Sequence, residues 1–206
     1  MRGVRWYAVA LLTTPLLMIT TLLGLSLTSR AFLPGILISD DKTSLVTLGL
    51  AVGLAAGLFE EPGWTGFGIP TMRRRSGVVA TGLIAGIWWS AWHLLPNVWS
   101  SRAAAGELAV SVYLAATAFG IFVGYLTAFR VLMVWVYDRT ESLLLAVLMH
   151  VSLTASLLIL NPLGISGPRL LTYSFVLSAA LWIVVGAVLL VNRRRVSSPP
   201  FIARAA

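Results

Sequence analysis

The sequence predicts an all-α fold, a polytopic membrane protein of about six transmembrane helices, and two observations lead to that prediction. Hydrophobic residues make up 58% of the chain and charged residues only 11%, whereas a soluble domain carries about 25% charged residues. Apolar segments close to the ~20 residues that cross a bilayer also recur along the whole length. Their approximate bounds are 6–28, 44–70, 77–96, 108–129, 142–160 and 171–191.

We treat residues 1–196 as a single transmembrane domain, because no part of the chain has the composition of a separate soluble domain. The first apolar segment follows Arg2 and Arg5 and could pass for a signal peptide. It is long for that role and no small-x-small cleavage site follows it, so we predict a retained helix. Residues 197–206, which contain Pro199 and Pro200, are predicted to form a short disordered tail.

The basic residues indicate a membrane partner and not nucleic acid. The chain has a net charge of +8, but Lys and Arg lie at the ends of the apolar segments, as topology signals and lipid-phosphate contacts do. With the N-terminus in the cytoplasm, 11 basic residues fall inside and 4 outside, which predicts a multi-pass protein of the cell membrane with both termini cytoplasmic. The inside set is Arg2, Arg5, Arg73, Arg74, Arg75, Arg130, Arg139, Arg193, Arg194, Arg195 and Arg204, and the outside set is Arg30, Lys42, Arg102 and Arg169.

Three predicted helices carry glycines four residues apart, a spacing that lets helix backbones approach closely in lipid. Two of these rows continue into ionisable residues: the row through Gly57 reaches Glu60 and Glu61, and the row through Gly86 reaches His93. We therefore expect these side chains on packed faces and not on lipid faces. The rows are Gly49, Gly53 and Gly57, then Gly82 and Gly86, and then Gly120 and Gly124.

The candidate catalytic residues are Glu60, Glu61, His93 and His150, because ionisable groups inside apolar helices are costly and usually functional. Each has a structural alternative. The glutamates could form a polar cap in water beyond a helix that ends near Phe59. His93 could belong to an aromatic belt at the membrane surface, and His150 could simply bond a neighbouring backbone group.

The predicted depth of Glu60 and His93 in the membrane favours the catalytic interpretation. The basic segment that ends at Ser76 is predicted to be a cytoplasmic bend, with Glu60 lying 16 residues before Ser76 and His93 lying 17 residues after it. Two helical arms at 1.5 Å per residue would place both groups ~24 Å from the bend. Pro62 and Pro70 are expected to shorten or kink the first arm, so the matched depth is the prediction, not its absolute value.

The four side chains fit the hydrolysis of a peptide bond, which needs a base that activates water and donors that hold the oxyanion. A glutamate can act as the base and a histidine can share the water proton. Neighbouring residues of a helix point ~100° apart, so only one of Glu60 and Glu61 can face the water. The other is expected to orient a histidine or to pair with a nearby charge. The chain has no cysteine, which excludes thiol nucleophiles, disulfides and Cys-ligated metals.

At these positions the sequence resembles the CPBP (or Abi) family of intramembrane proteases, relatives of the type II CAAX prenyl endopeptidase, over about residues 44–160. That family shows Glu-Glu-x-x-x-Arg, then an aromatic residue with His four positions later, then His-x-x-x-Asn. The corresponding stretches here are Glu60-Glu61-Pro62-Gly63-Trp64-Thr65-Gly66-Phe67-Gly68-Ile69-Pro70, Trp89-Ser90-Ala91-Trp92-His93 and His150-Val151-Ser152-Leu153-Thr154.

The resemblance implies an intramembrane endopeptidase with Glu60 as the base and His93 as its partner, and with His150 and Thr154 at the oxyanion. Thr65 stands where the family usually has Arg, which removes a counter-charge for the carboxylates. Thr154 stands where it usually has Asn, and a hydroxyl can still donate. We therefore expect the change Thr65→Arg to leave activity in place.

Two mechanisms share this residue set: glutamate-activated water, and a Zn²⁺ ion held by Glu60, His93 and His150. We favour the metal-free mechanism, because ligands from three separate helices lack the close spacing of tight zinc sites. The expected partners are the lipid bilayer and a membrane-associated peptide or protein substrate. The alternative is a non-catalytic family member that acts as a membrane scaffold, an immunity protein or a lipid-binding module. A proton-coupled carrier would show inverted repeats, which we do not find.

Overall fold

The computed structural model describes residues 3–122 and 124–192. The predicted tail, 197–206, lies outside the described residues, and so do the basic residues Arg193 to Arg195. Throughout the described part the fold is helical and contains no strand. The main helices are α1 Arg5–Ser26, α2 Lys42–Glu61, α3 Val78–Ala105, α4 Val110–Phe122, α5 Tyr125–Thr140, α6 Leu143–Leu160 and α7 Gly167–Val191.

Six helical segments of the described chain are long and apolar enough to cross a membrane, which confirms the predicted fold class. α2 continues through a π-helical segment, Pro62–Gly68, and a last turn, Ile69–Arg73, so that Lys42–Arg73 forms one span. α4 and α5 share another span, Val110–Thr140. A short 3₁₀ turn, Arg30–Phe32, and a one-turn helix, Gly35–Ile38, connect α1 to α2.

Two spans are longer than the apolar pattern predicted. The third was expected to end at residue 96, but α3 runs through Pro96 to Ala105. The fourth was expected to end at residue 129, but helix continues through Arg130 to Thr140. Charged residues do not end α5 because they have partners on other helices, which remove the cost of placing them at this depth.

Two of the three predicted glycine rows, those through Gly57 and Gly86, lie at close helix contacts, as predicted. α2 packs against α6, and α3 packs against α5. A Cβ atom added to Gly53 would lie 2.9 Å from the Val151 carbonyl oxygen, and one added to Gly82 would lie 2.8 Å from the Val131 Cα. Both distances are shorter than real Cβ contacts, so the backbones touch directly through these glycines.

α5 is the central helix of the bundle. Every residue from Leu126 to Val134 is buried, whereas the other spans each keep a face of exposed apolar side chains for lipid. α1 covers α6 from the outside, where the Ser152 hydroxyl donates to the Leu11 carbonyl at 2.9 Å. Arg130, the charged residue within this buried stretch, therefore has no access to water and must find its partner within the bundle.

The two ends of the bundle differ. At the first, which we call the Arg73 end, the guanidinium of Arg73 donates to an Asp138 carboxylate oxygen at 2.6 Å and 3.1 Å and also bonds the Ser76 carbonyl. These contacts tie the bend after the second span to the last turns of α5. The opposite end, which we call the Asn161 end, contains the turns after Ala105 and after Leu160.

Candidate active site

Glu61 is the most completely engaged of the predicted residues. Its side chain is fully buried. Two parallel bonds join it to Arg130, from Nη1 to Oε2 and from Nη2 to Oε1, both at 3.0 Å. His150 Nδ1 lies 2.7 Å from Oε1, and the Thr65 hydroxyl donates to Oε2. A forked guanidinium–carboxylate pair of this kind fixes both partners in orientation as well as in charge.

The backbone after Glu61 explains how Thr65 reaches it. The chain enters a π-helical segment at Pro62, and such segments widen a helix and re-aim its side chains, often at functional sites. Because the helix does not end at Phe59, the polar-cap alternative is wrong for Glu61, which is buried among other helices. The alternative for His150 is also wrong, since its Nδ1 bonds a carboxylate and not a backbone group.

Glu60 lies in a different environment from its neighbour. It is half-buried, and its Oε2 accepts a hydrogen bond of 2.9 Å from the indole Nε1 of Trp89. No ion pair involves Glu60 among the described residues. The Glu60 carboxylate therefore keeps one oxygen for a further partner, whereas both oxygens of the Glu61 carboxylate have partners.

Trp89 joins the whole group, although sequence reasoning treated it only as the aromatic residue of a motif. Its ring packs edge-on against both histidines, with centroid distances of 5.1 Å to His93 and 5.3 Å to His150. The Arg130 guanidinium carbon lies 4.0 Å from the Trp89 ring centroid, within cation–π range. With its bond to Glu60, this one indole contacts four ionisable side chains.

His93 is half-buried and held in a fixed orientation. Its Nδ1 lies 2.8 Å from the Trp89 carbonyl oxygen. Since a carbonyl can only accept, Nδ1 carries a proton and the neutral ring has its lone pair on Nε2. One turn further along α3, the Asn97 amide donates to the His93 carbonyl at 2.7 Å. His93 can therefore present an acceptor nitrogen toward a bound water.

Arg130 is the residue that sequence reasoning missed. It was counted as a cytoplasmic topology charge, whereas the structure buries it completely against Glu61. The signal that could have found it was the Thr65 departure, because carboxylates without the motif arginine need a cation from another helix. Arg130 supplies that counter-charge, so the expectation that the Thr65 departure removes it is wrong.

Thr154 lies one helical turn beyond His150 on α6 and is half-buried. Among the described residues, no hydrogen bond joins its hydroxyl to Glu60, Glu61 or either histidine. The structure thus brings four of the five predicted residues together around Trp89 and places Thr154 next to them along one helix.

The histidines and acids of the site are also residue types that ligate metal ions. The described residues contain no group of three or more His, Cys, Asp or Glu side chains arranged to hold a metal. The protein already engages Nδ1 of both histidines. The atoms left for a metal would be Nε2 of each histidine and an oxygen of Glu60, but among the described residues these side chains do not form a group that could hold one.

Comparison with protein families gives one match. Residues 42–156, more than half of the chain, match the family described as Type II CAAX prenyl endopeptidase Rce1-like. That range contains the glutamates, both histidines, Arg130 and Thr154, and it coincides closely with the region of about 44–160 where the motifs resemble this family. Comparison with curated proteins and with solved structures gives no match. The chain, a multi-pass helical membrane protein, therefore belongs to the Rce1-like family of type II CAAX prenyl endopeptidases.

Proposed function

We propose that this chain is an intramembrane endopeptidase that hydrolyses a peptide bond in a membrane-associated protein or peptide, using water activated by Glu60 and His93. The observation that supports the proposal most strongly is the different use of two adjacent carboxylates. Glu61 is neutralised by Arg130 and bonded by His150. Glu60 is half-buried, and among the described residues it accepts one hydrogen bond, from Trp89, which leaves an oxygen for water.

In this mechanism the free Glu60 oxygen takes a proton from water while His93 Nε2 orients the same water. The hydroxide attacks the carbonyl carbon of the scissile bond, and a tetrahedral oxyanion forms. The proton held by Glu60 then passes to the leaving amine as the C–N bond breaks. Removing such a base typically slows a reaction by ~10²–10⁴.

In this mechanism His150 and Thr154, which share one face of α6, donate hydrogen bonds to the oxyanion. His150 Nδ1 faces Glu61, so Nε2 is the atom left for a substrate. A His150 ring that carries protons on both nitrogens would donate to the oxyanion from Nε2 while Nδ1 stays on Glu61. Each donor of this type is typically worth ~10²–10³ in rate.

The zinc alternative uses Glu60, His93 and His150 and makes a different prediction. If Zn²⁺ were the activator, purified protein would contain stoichiometric zinc and a chelator would abolish activity. The metal-free mechanism predicts that cleavage continues in chelator. Metal analysis of the purified protein, with activity measured before and after chelation, decides between them.

The experiment that tests the function is substrate trapping. Cells carrying Glu60→Gln and cells carrying Glu107→Gln, a matched change in an exposed turn at the Asn161 end, are compared by proteomics of their membranes at equal expression. We expect uncleaved membrane proteins to accumulate with Glu60→Gln alone. A non-catalytic scaffold, immunity protein or lipid-binding module would give identical membrane proteomes in both strains.

A further inference from the structure

A cavity of about 170 Å³ lies between α3, α4, α6, α7 and the start of α5, in the half of the bundle toward the Asn161 end. It is separate from the predicted catalytic residues, none of which lines it. Its lining mixes apolar side chains with an unusual number of neutral hydrogen-bonding groups. The polar lining residues are Asn97, Tyr113, Thr117, Tyr125, Asn161, Tyr173 and Ser174.

Two buried polar atoms at this cavity have no protein partner in the described part of the chain. They are the hydroxyl of Tyr173, a side chain only 2% exposed, and Oδ1 of Asn161. A buried polar group without a hydrogen bond costs roughly 1–3 kcal/mol, and nearly all such groups in proteins find a partner. Both residues line the cavity, so their partner must be something that enters it.

The chemistry of the lining identifies that partner as water. The seven polar side chains are all uncharged and offer both donors and acceptors, which suits a small neutral molecule and disfavours an ion. A space of about 170 Å³ is ample for several water molecules, since each needs only about 10–15 Å³ by the same measure of volume.

The cavity and the catalytic residues share two helices. On α3, Asn97 lines the cavity and its amide bonds the carbonyl of His93, one turn away. On α6, the positions 150, 154, 157 and 161 follow the spacing of a single helix face. That face carries His150, Thr154, Leu157 and Asn161 in turn, so Thr154 lies between the histidine and the cavity-lining residues along the helix.

We propose that this cavity holds water and supplies the hydrolytic water to His93 and Glu60 from the Asn161 end of the bundle, with the Thr154 hydroxyl on the route. The inference rests on the proposed function, because only a hydrolase consumes water at this site. Lipid excludes water from the flanks of the bundle, so an internal supply removes the delay of drawing each water molecule through an apolar wall.

The first arm of the test measures hydration without any activity. The chain has no cysteine, so a single introduced cysteine can be labelled without background. Ser174→Cys places a thiol at the cavity, and Val176→Cys places one at nearly the same depth on the lipid-facing side of α7. A small maleimide reacts with the thiolate, which forms only in contact with water. We expect fast labelling of Ser174→Cys and almost none of Val176→Cys in lipid vesicles.

The second arm measures catalysis. Tyr173→Phe and Asn161→Leu remove the unpartnered polar atoms with little change of shape, and Thr172→Val removes an exposed hydroxyl from the same helix as a control. We expect kcat to fall about tenfold in the two cavity variants, the effect of one lost hydrogen bond to the delivered water, with KM unchanged. Ser174→Cys should also label more slowly in their background, while Thr172→Val should change neither quantity.

The outcomes separate this proposal from the proposed function. Equal labelling of Ser174→Cys and Val176→Cys would show a dry cavity and overturn the proposal. Fast labelling with unchanged kcat in Tyr173→Phe and Asn161→Leu would overturn the supply role. A wild-type protein without hydrolytic activity would overturn the proposed function and the supply role, whereas the cavity's hydration would still follow from the labelling.

Discussion

At the scale of single residues, the site depends on two consecutive glutamates that the bundle treats in opposite ways. Glu61 is part of a fully buried group with Arg130, His150 and Thr65. In the part of the chain that the structure describes, the Glu60 carboxylate bonds none of these side chains and is linked to them through Trp89. We therefore expect Glu61 to determine the stability of the site and Glu60 to determine its reactivity.

Replacing Glu61 tests this division. Glu61→Gln leaves the Arg130 guanidinium buried without a counter-charge, a change that typically costs about 3–5 kcal/mol. Thermal unfolding in detergent should show a large loss of stability for Glu61→Gln and little for Glu60→Gln, which removes no ion pair. The double variant Glu61→Gln with Arg130→Met should recover part of the loss, because it removes both charges. Equal unfolding temperatures for the two single glutamine variants would contradict the assignment.

Thr65 gives a second prediction, and the structure reverses the one made from sequence. Thr65 is 1% exposed, and Arg130 Nη1 lies 3.4 Å from its hydroxyl. An arginine at this position would place a second guanidinium beside the first in a dry space, so Thr65→Arg should destabilise the protein and lower activity.

The matched control is Thr65→Arg combined with Arg130→Met, which moves the single cation to the position common in the family. Stability and activity in this double variant should exceed those of Thr65→Arg alone. The assignment of Arg130 as the counter-charge would fail if Thr65→Arg alone behaved like the wild-type protein in unfolding and in cleavage.

Sequence reasoning reached the acids and histidines because ionisable groups in apolar helices are rare, and each such residue stands out. It did not reach Arg130 or the role of Trp89. An arginine near the end of an apolar segment looks the same whether it contacts lipid phosphates or a buried carboxylate. A tryptophan in a segment with other tryptophans similarly looks like part of an interfacial belt. Only the packing of α3 against α5 shows that Arg130 and Trp89 belong to the site and do not face lipid.

At the scale of elements, close helix contacts through glycine bring the catalytic segments together. The row on α2 meets α6 and so sets the position of Glu61 against His150. Gly82 and Gly86 on α3 meet α5 at Val131 and Thr127. The sequence predicted that these glycine faces pack closely, because small residues at a spacing of four let helix backbones approach each other in lipid, but it did not identify the partner helices.

The glycine contacts can be tested with a matched pair. Gly53→Ala places a methyl group 2.9 Å from a backbone oxygen, and overpacking of this kind typically costs about 1–3 kcal/mol. Gly186→Ala, on the face of α7 with nothing within 4 Å, should be neutral or slightly stabilising, because alanine is the better helix former. Unfolding in detergent measures both. A Gly53→Ala protein as stable as Gly186→Ala would show that α2 and α6 are not in direct contact.

The end of the fourth span could not be predicted from the length of its apolar segment. Arg130, Asp138 and Arg139 appeared to end the fourth span, yet α5 runs through all three. Two of these charges have buried partners on the second span. A hydropathy pattern contains no information on such partners, because they lie more than 60 positions away in the sequence.

At the scale of the whole molecule, topology follows from the placement of charge. Arg130 no longer counts as a loop residue, since it lies inside the bundle. Without Arg130, the excess of Lys and Arg still falls on the predicted cytoplasmic side. Arg73, Asp138 and Arg139 lie together at the Arg73 end. We therefore expect the Arg73 end to face the cytoplasm, together with both termini.

Reporter fusions test this orientation. A reporter active only in the cytoplasm should be active when fused after residue 192 or inserted at Ser76, and inactive when inserted at Gly106 in the turn after α3. The turn at Gly106 provides the internal control, because it lies at the opposite end of the same helix. Activity at Gly106 with silence at Ser76 would reverse the orientation of the bundle.

The most direct test of the central claim is the cleavage rate of Glu60→Gln, with a trapped substrate, in vesicles that contain equal amounts of folded protein. Glutamine keeps the shape and the bond from Trp89 but cannot take a proton from water. We predict a fall in kcat of about 10²–10⁴, an unfolding temperature equal to that of the wild-type protein, and no change in either quantity for Glu107→Gln. A Glu60→Gln protein that cleaves at the wild-type rate would contradict the mechanism.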